Sequence, residues 1–212
     1  MAQRIGQLIK FDQGLLAKQI NHIERNYPHM STTSTSGISW NIDPAHSHAE
    51  FKVQHMMISN VKGSFSGISG TLVEDPADPS LNRVDASIDI GTVNTGDEKR
   101  DEHLKSADFF HHEQHPHMTF RSTKVEKKSD EEYAVTGDLT LHGMTKSVTF
   151  AVEGPSQPAK DPWGNMRIGL SATTKINRKD FGLSWNAALE SGGILVGEDV
   201  QISLEVQLIK AA

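Results

Sequence analysis

The stretch Val200-Gln201-Ile202-Ser203-Leu204-Glu205-Val206-Gln207-Leu208 decides the fold. Every second residue is apolar, and every residue between is polar. Successive side chains of a β-strand point to opposite faces, so this segment presents one dry face and one wet face. The same period recurs upstream. Val84, Ala86, Ile88 and Ile90 alternate with Asp85, Ser87 and Asp89, and Val148, Phe150 and Val152 with Thr149, Ala151 and Glu153. Val135, Leu139 and Leu141 oppose Thr136, Asp138 and Thr140. Met166, Ile168, Leu170, Ala172 and Ile176 oppose Arg167, Ser171, Thr173 and Lys175. Half-buried antiparallel strands carry this pattern.

Turn chemistry separates the strands. Asp75-Pro76-Ala77-Asp78-Pro79-Ser80 closes one strand, Gly143 marks a tight hairpin, and Pro155 to Gly164 forms a longer loop with three prolines. About eight strands result, from Ser39–Ile42/Ala49–Gln54 through Val200–Leu208. Regularly spaced short strands predict an all-β sandwich or barrel, between which periodicity alone does not choose. One insert breaks the alternation. Asp97 to Phe110 reads as a short helix capped by Asp97, with Leu104 and Phe109 or Phe110 turned inward and a charged outer face. A smaller break, Asn177 to Gly182, precedes the last hairpin.

Ahead of the β-rich domain, taken as 38–212, lies an N-terminal extension, 1–37. Ile5, Leu8, Ile9, Leu16, Ile20 and Ile23 recur at helical spacing, weakened by Gly6 and Gly14 and ended by Pro28. A Ser/Thr linker follows. The segment is read either as an appendage that docks on a partner or as sequence preceding a natural start at Met30. Its polar face is too weakly basic for a strong membrane anchor.

Charge and composition exclude several function classes. The 21 basic and 27 acidic side chains leave a net charge of −6, and no basic run with interleaved aromatics is present, so no nucleic-acid surface is expected. Without cysteine, disulfides, thiolate metal sites and cysteine nucleophiles are excluded. No apolar run spans a bilayer as a helix. The N-terminal region lacks the uninterrupted apolar core of a secretory signal, and a cytoplasmic location is expected from it.

The histidines invite a metal hypothesis. His111, His112, His115 and His117 cluster around Glu113, but their spacing fits no closed zinc pattern, and a solvated loop is expected. His46, His48 and His55 flank an early strand without a recognisable nucleophile pair. No Gly-x-Ser-x-Gly elbow, phosphate loop or dinucleotide fingerprint is present. Gly63, Gly67 and Gly70 read as strand curvature. Paired acids such as Asp97/Glu98 and Asp101/Glu102 read as a charged helix face. No catalytic residue, metal or cofactor is therefore assigned.

The apolar stripe remains. Phe51, Val53, Phe65, Val84, Ala86, Ile88, Met118, Phe120, Leu139, Leu141, Phe150, Ile168, Leu170, Ala172, Ile202 and Leu204 are expected to share the interior. A barrel of eight strands is either filled by such side chains or left wide enough for one small ligand. Small residues among them (Ala86, Ala172, and nearby Gly67 and Gly137) favour a cavity.

Several ordered motifs carry a family resemblance: Ile42-Asp43 with His46-Ser47 and Phe51; Gly63-x-Phe65; Arg100-Asp101-x-His103-Leu104 with Asp108-Phe109-Phe110; Pro116-x-Met118-Thr119-Phe120; Gly137-Asp138-Leu139-Thr140-Leu141-x-Gly143; Arg178-x-Asp180-Phe181-Gly182; and Val196-Gly197-x-Asp199-Val200. From Ser39 to about Lys210 the chain resembles the YceI-like family of lipocalin-like lipid or polyisoprenoid binders. His111 departs from the pattern, which often has an acidic residue there. The resemblance implies an eight-stranded antiparallel barrel whose apolar channel takes an isoprenoid quinone, a polyprenyl diphosphate or a fatty-acyl chain, for transport, storage or sequestration. His46, Ser47, Arg100, His103 and Arg178 are carried over as polar mouth residues. A homodimer is compatible with the resemblance. Two other classes stand beside the carrier: a pocket hydrolase or isomerase using histidine with or without metal, and an interaction module built on the N-terminal segment.

Overall fold

The computed structural model describes residues 37–190 and 192–212; the expected N-terminal helix and nearly all of the Ser/Thr linker lie outside the described residues. The strands are β1 (Ile38–Ile42), β2 (His48–His55), β3 (Ser59–Phe65), β4 (Ile68–Glu74), β5 (Arg83–Asp89), β6 (His117–Lys127), β7 (Glu132–Leu141), β8 (Met144–Glu153), β9 (Ala159–Lys160), β10 (Met166–Asn177) and β11 (Val196–Lys210). One α-helix, α1 (Glu98–Lys105), lies between β5 and β6.

These strands fill eight positions of a closed ring. β11 pairs along one edge with β10, and along the other with β2 and then β1. β1 and β2 are thus two halves of one interrupted strand. β3 and β4, which pair with β2 and β1 respectively, are likewise two halves of the next. β5, β6, β7, β8 and β10 complete the circuit, every pairing antiparallel. The two-residue β9 only edges β10. Closure chooses the barrel over the sandwich and leaves no long unpaired edge among these strands.

The interruption between β1 and β2 is repaired by side chains. Asp43 Oδ1 accepts the Ala45 amide at 3.0 Å, which turns the chain. Gln207 on β11 then faces the gap. Its carbonyl accepts from the Asp43 amide at 2.9 Å and from the Ser47 hydroxyl at 3.2 Å, and its amide donates to Ser47 Oγ at 3.0 Å. A hydroxyl that both donates and accepts stands in for the missing ladder bonds. Asp43 Oδ2 meets His46 Nδ1 at 2.7 Å and accepts from Arg167, whose Nε also donates to Asp161 at 2.7 Å. The Arg167 guanidinium, with help from His46, holds the Asp43 pKa down at about 2.

Asp97 caps α1 by accepting the Arg100 amide at 3.1 Å, as its position in the sequence implies. A short 3-10 turn, Arg178–Phe181, follows β10 where the second break was expected. In one cluster of the core Trp40, Ile68, Leu72, Ile168, Val206 and Leu208 pack together. Trp40 Nε1 donates to Glu74 at 3.0 Å there, so burying the indole leaves no orphan donor.

Candidate ligand cavity

The inward faces do not fill the barrel. They enclose a cavity of about 400 Å³ with an almost wholly apolar wall. Phe51, Val53, Val84, Ala86, Ile88, Met118, Phe120, Leu170, Ile202 and Leu204 all line it, and all are only half-buried although they point inward. In a filled core, such residues lose nearly all their exposure. Here their exposed surface faces the lumen.

Aromatic rings lie flat against the wall where glycine admits them. A Cβ on Gly63 would sit 2.3 Å from the Phe51 ring, its cross-strand partner, and one on Gly137 would sit 2.5 Å from the Phe120 ring. Gly137 therefore accommodates a ring instead of adding open space. Gly67, between β3 and β4, packs on Asp89 and Thr92 and is no part of the cavity lining.

Phe65, Leu139, Leu141, Phe150 and Ala172 also line the cavity, so every expected channel residue except Ile168 borders it. Ile168 is corrected: it belongs to the packed Trp40 cluster and is 3% exposed. Its strand alternation is right, but its neighbours in that cluster cover it, while Ile68, Leu72, Val206 and Leu208 of the same cluster reach the cavity.

The mouth residues divide. Arg100, His103 and Arg178 border the cavity at the end where α1 sits; His46 and Ser47 do not. Those two are corrected to the β1–β2 break, where Ser47 satisfies Gln207 and His46 meets Asp43. Ser47 is held by a residue 160 positions away, which no local pattern reveals, whereas His46 meets Asp43 only three residues before it.

Arg178 is 3% exposed, and its guanidinium donates to the carbonyls of Gly197, Leu183 and Val196. Burial pushes its pKa down from the ordinary arginine value. Its donors are engaged in holding the β10–β11 connection, which makes it a framework residue beside the cavity. Arg100 is less committed. Its Nε donates to Thr95 Oγ1 at 2.7 Å and its Nη2 to the Thr95 carbonyl at 2.9 Å, while Nη1 has no protein partner among the described residues. His103 contacts Asp108 through Nε2 at 3.0 Å. Its ring stands edge-on to Phe109 and Trp185, with centroids 5.0 and 4.7 Å away. Both Phe109 and Phe110 turn inward, and Phe110 meets Phe65 at 5.8 Å. Trp185, absent from the sequence-derived set, completes this aromatic rim. It lies in an irregular segment where no periodicity assigns a direction.

Glu74, Asn82 and Tyr133 border the cavity at the opposite end. The cavity thus has a cationic rim at the α1 end, an acidic and neutral polar rim at the other, and apolar walls between. Among the described residues, no serine borders it. No helix of the described residues is long and apolar enough to cross a membrane.

Comparison with known proteins agrees with this architecture. A UPF0312 protein of Staphylococcus aureus is 39% identical over 171 residues, covering 80% of this chain and 96% of that protein. The crystal structure of a Campylobacter jejuni YceI protein superimposes with a TM-score of 0.60 at 33% identity, covering 75% of this chain and 90% of the other. A polyisoprenoid binding domain from Saccharophagus degradans shares the fold, with a TM-score of 0.60 at 17% identity over 82% of this chain and 99% of that one. Residues 40–208 match the YceI-like domain, and the chain belongs to that family.

Proposed function

We propose that the protein binds one isoprenoid or related long-chain lipid in the barrel and carries or sequesters it without a chemical step. The observation that carries this reading is the unfilled apolar lumen, lined by inward side chains that remain half-exposed. An apolar chain entering it gains about 0.8 kcal/mol per buried methylene, so tail length dominates affinity. The naming of the structurally similar Saccharophagus degradans domain as polyisoprenoid binding supports the choice of tail. We place the head group at the α1 end. Arg100 offers positive charge there and a donor that is free among the described residues, whereas Glu74 at the other end repels an anion.

The test is a series of prenyl diphosphates of increasing tail length, titrated against the full chain. Affinity should climb steeply with each added prenyl unit until the lumen is full. Affinity independent of tail length would sink the proposal, because diphosphate binding to surface cations alone gives that result.

A further inference from the structure

Three histidines outside the cavity converge. His111 and His115 lie four residues apart on one tight turn, closed by the His115 amide donating to the His111 carbonyl at 2.9 Å. His111 holds a left-handed φ of 51°, so the turn is tight and not helical, and it brings the two ring centroids to 5.9 Å. His142 arrives from the β7–β8 hairpin. It and Gly143 form the two-residue loop, with φ of 51° and 71°, as the tight twist of such hairpins requires. One ligand nitrogen from each of His111, His115 and His142 lies within 4.8 Å of the other two. His115 seats against the loop because Gly143 lacks a side chain; a Cβ there would fall 2.8 Å from the imidazole.

We propose that His111, His115 and His142 form a binding site for a divalent transition-metal ion of the zinc class. Three neutral imidazoles with a fourth position left to water are an established zinc donor set. Zn–N bonds of about 2.0–2.1 Å place tetrahedral donors roughly 3.3 Å apart, so the rings need only a small inward rotation. One ring already has its outer partner. His142 Nδ1 lies 3.2 Å from the Phe181 carbonyl, which can only accept. The proton therefore sits on Nδ1, and Nε2 is free to ligate, the arrangement that second-shell carbonyls impose on metal-binding histidines. His112 and His117 of the same sequence cluster do not join. His112 lies 3.9 Å from Asp89, and His117 opens β6 beside the same residue. The ion ties the segment that follows Phe109 and Phe110 to the β7–β8 hairpin, and so fixes the cavity's aromatic rim from outside. The site stands independently of what the cavity holds.

The experiment is zinc titration of chelator-treated full-length protein at pH about 7.5, above the ordinary imidazole range, with a competing chromophoric chelator. Cobalt(II) absorption reads the coordination geometry. The wild type should take up one ion in this site with a tetrahedral cobalt spectrum. His111→Asn and His142→Asn keep a residue that tolerates positive φ, and His115→Gln keeps the turn. Each should weaken the site at least ~10–100-fold, the loss that removal of a mere outer-shell partner produces. His117→Gln should leave it unchanged. Circular dichroism confirms that each variant folds. Absence of zinc uptake, or uptake retained when His111→Asn, His115→Gln and His142→Asn are combined, would overturn the proposal; the second result assigns the binding to scattered surface histidines.

Discussion

Replacing Ala86 by phenylalanine separates an open lumen from a packed core. Ala86 lies on β5, pairs with Phe120 on β6, and lines the cavity while half-buried. The cavity measures about 400 Å³, and an apolar void of ~150 Å³ already accepts a benzene molecule. A phenyl ring at position 86 therefore enters existing space. It should leave the thermal midpoint of the ligand-free protein unchanged or raise it. Against a filled core the same substitution overpacks, at a cost of about 1–3 kcal/mol. That corresponds to a fall of at least ~2 °C in a domain of this size, by the usual ~2–4 °C per kcal/mol. The ring also occupies room for about six methylene-sized groups of a bound tail. At ~0.8 kcal/mol each, the loss is about 5 kcal/mol, or roughly three orders of magnitude in affinity. Differential scanning fluorimetry of stripped protein and fluorescence displacement of a prenyl probe read the two effects. Ala172→Phe, on β10 and four ring positions away, repeats the test from the other wall. A clear drop in midpoint with unchanged lipid uptake, in both variants, would refute the open-lumen reasoning.

Other expectations follow from the rim and the strand break. Arg100→Gln should weaken a prenyl diphosphate about tenfold or more, the worth of one charge-assisted hydrogen bond, and leave a neutral quinone unaffected; equal effects on both would remove Arg100 from head-group recognition. Arg178→Met leaves the carbonyls of Gly197, Leu183 and Val196 without their donor, and should destabilise the fold by about 3 kcal/mol; a thermal midpoint within a degree of wild type would contradict the framework role. Asp43 has a folded pKa of about 2, below its ordinary 3.8, because Arg167 and His46 stabilise the carboxylate. A depressed carboxylate contributes stability that is complete above pH ~4 and lost as pH falls through ~2. Asp43→Asn should thus remove on the order of 1–2 kcal/mol at neutral pH and flatten the acid limb between those values; an unchanged limb in urea titrations at several pH values would count against the ion pair.

The strands were legible in the sequence because each has one dry and one wet face. Alternation from Val200 to Leu208 follows directly from β11 having its outer face in water. Even the split strand was readable, since Asp43-Pro44 interrupts an apolar run that resumes at Ala49. Inward direction was legible too, and it placed Phe51, Phe120 and Leu204 on the cavity wall. Coverage by neighbouring side chains was not. Period two distinguishes inside from outside but not which inward residues are covered: Ile168 is, whereas its cross-strand partner Leu208, in the same cluster, borders the cavity. Ser47 was carried over as a mouth residue because it is polar and sits in a matching motif, yet its partner is Gln207, 160 residues on. The histidine site shows the same limit. The four-residue spacing of His111 and His115 was visible, but His142 reaches them only through the β6–β7–β8 pairing, and a loop reading of the cluster omitted it.

The most direct measurement is native mass spectrometry of the full chain as purified, followed by solvent extraction and identification of whatever it carries. One long-chain prenyl or acyl lipid per chain is expected, released when the barrel unfolds and absent from Ala86→Phe. Protein that emerges empty, and stays empty after incubation with an isoprenoid quinone and a polyprenyl diphosphate, would contradict the claim that the lumen is a lipid site.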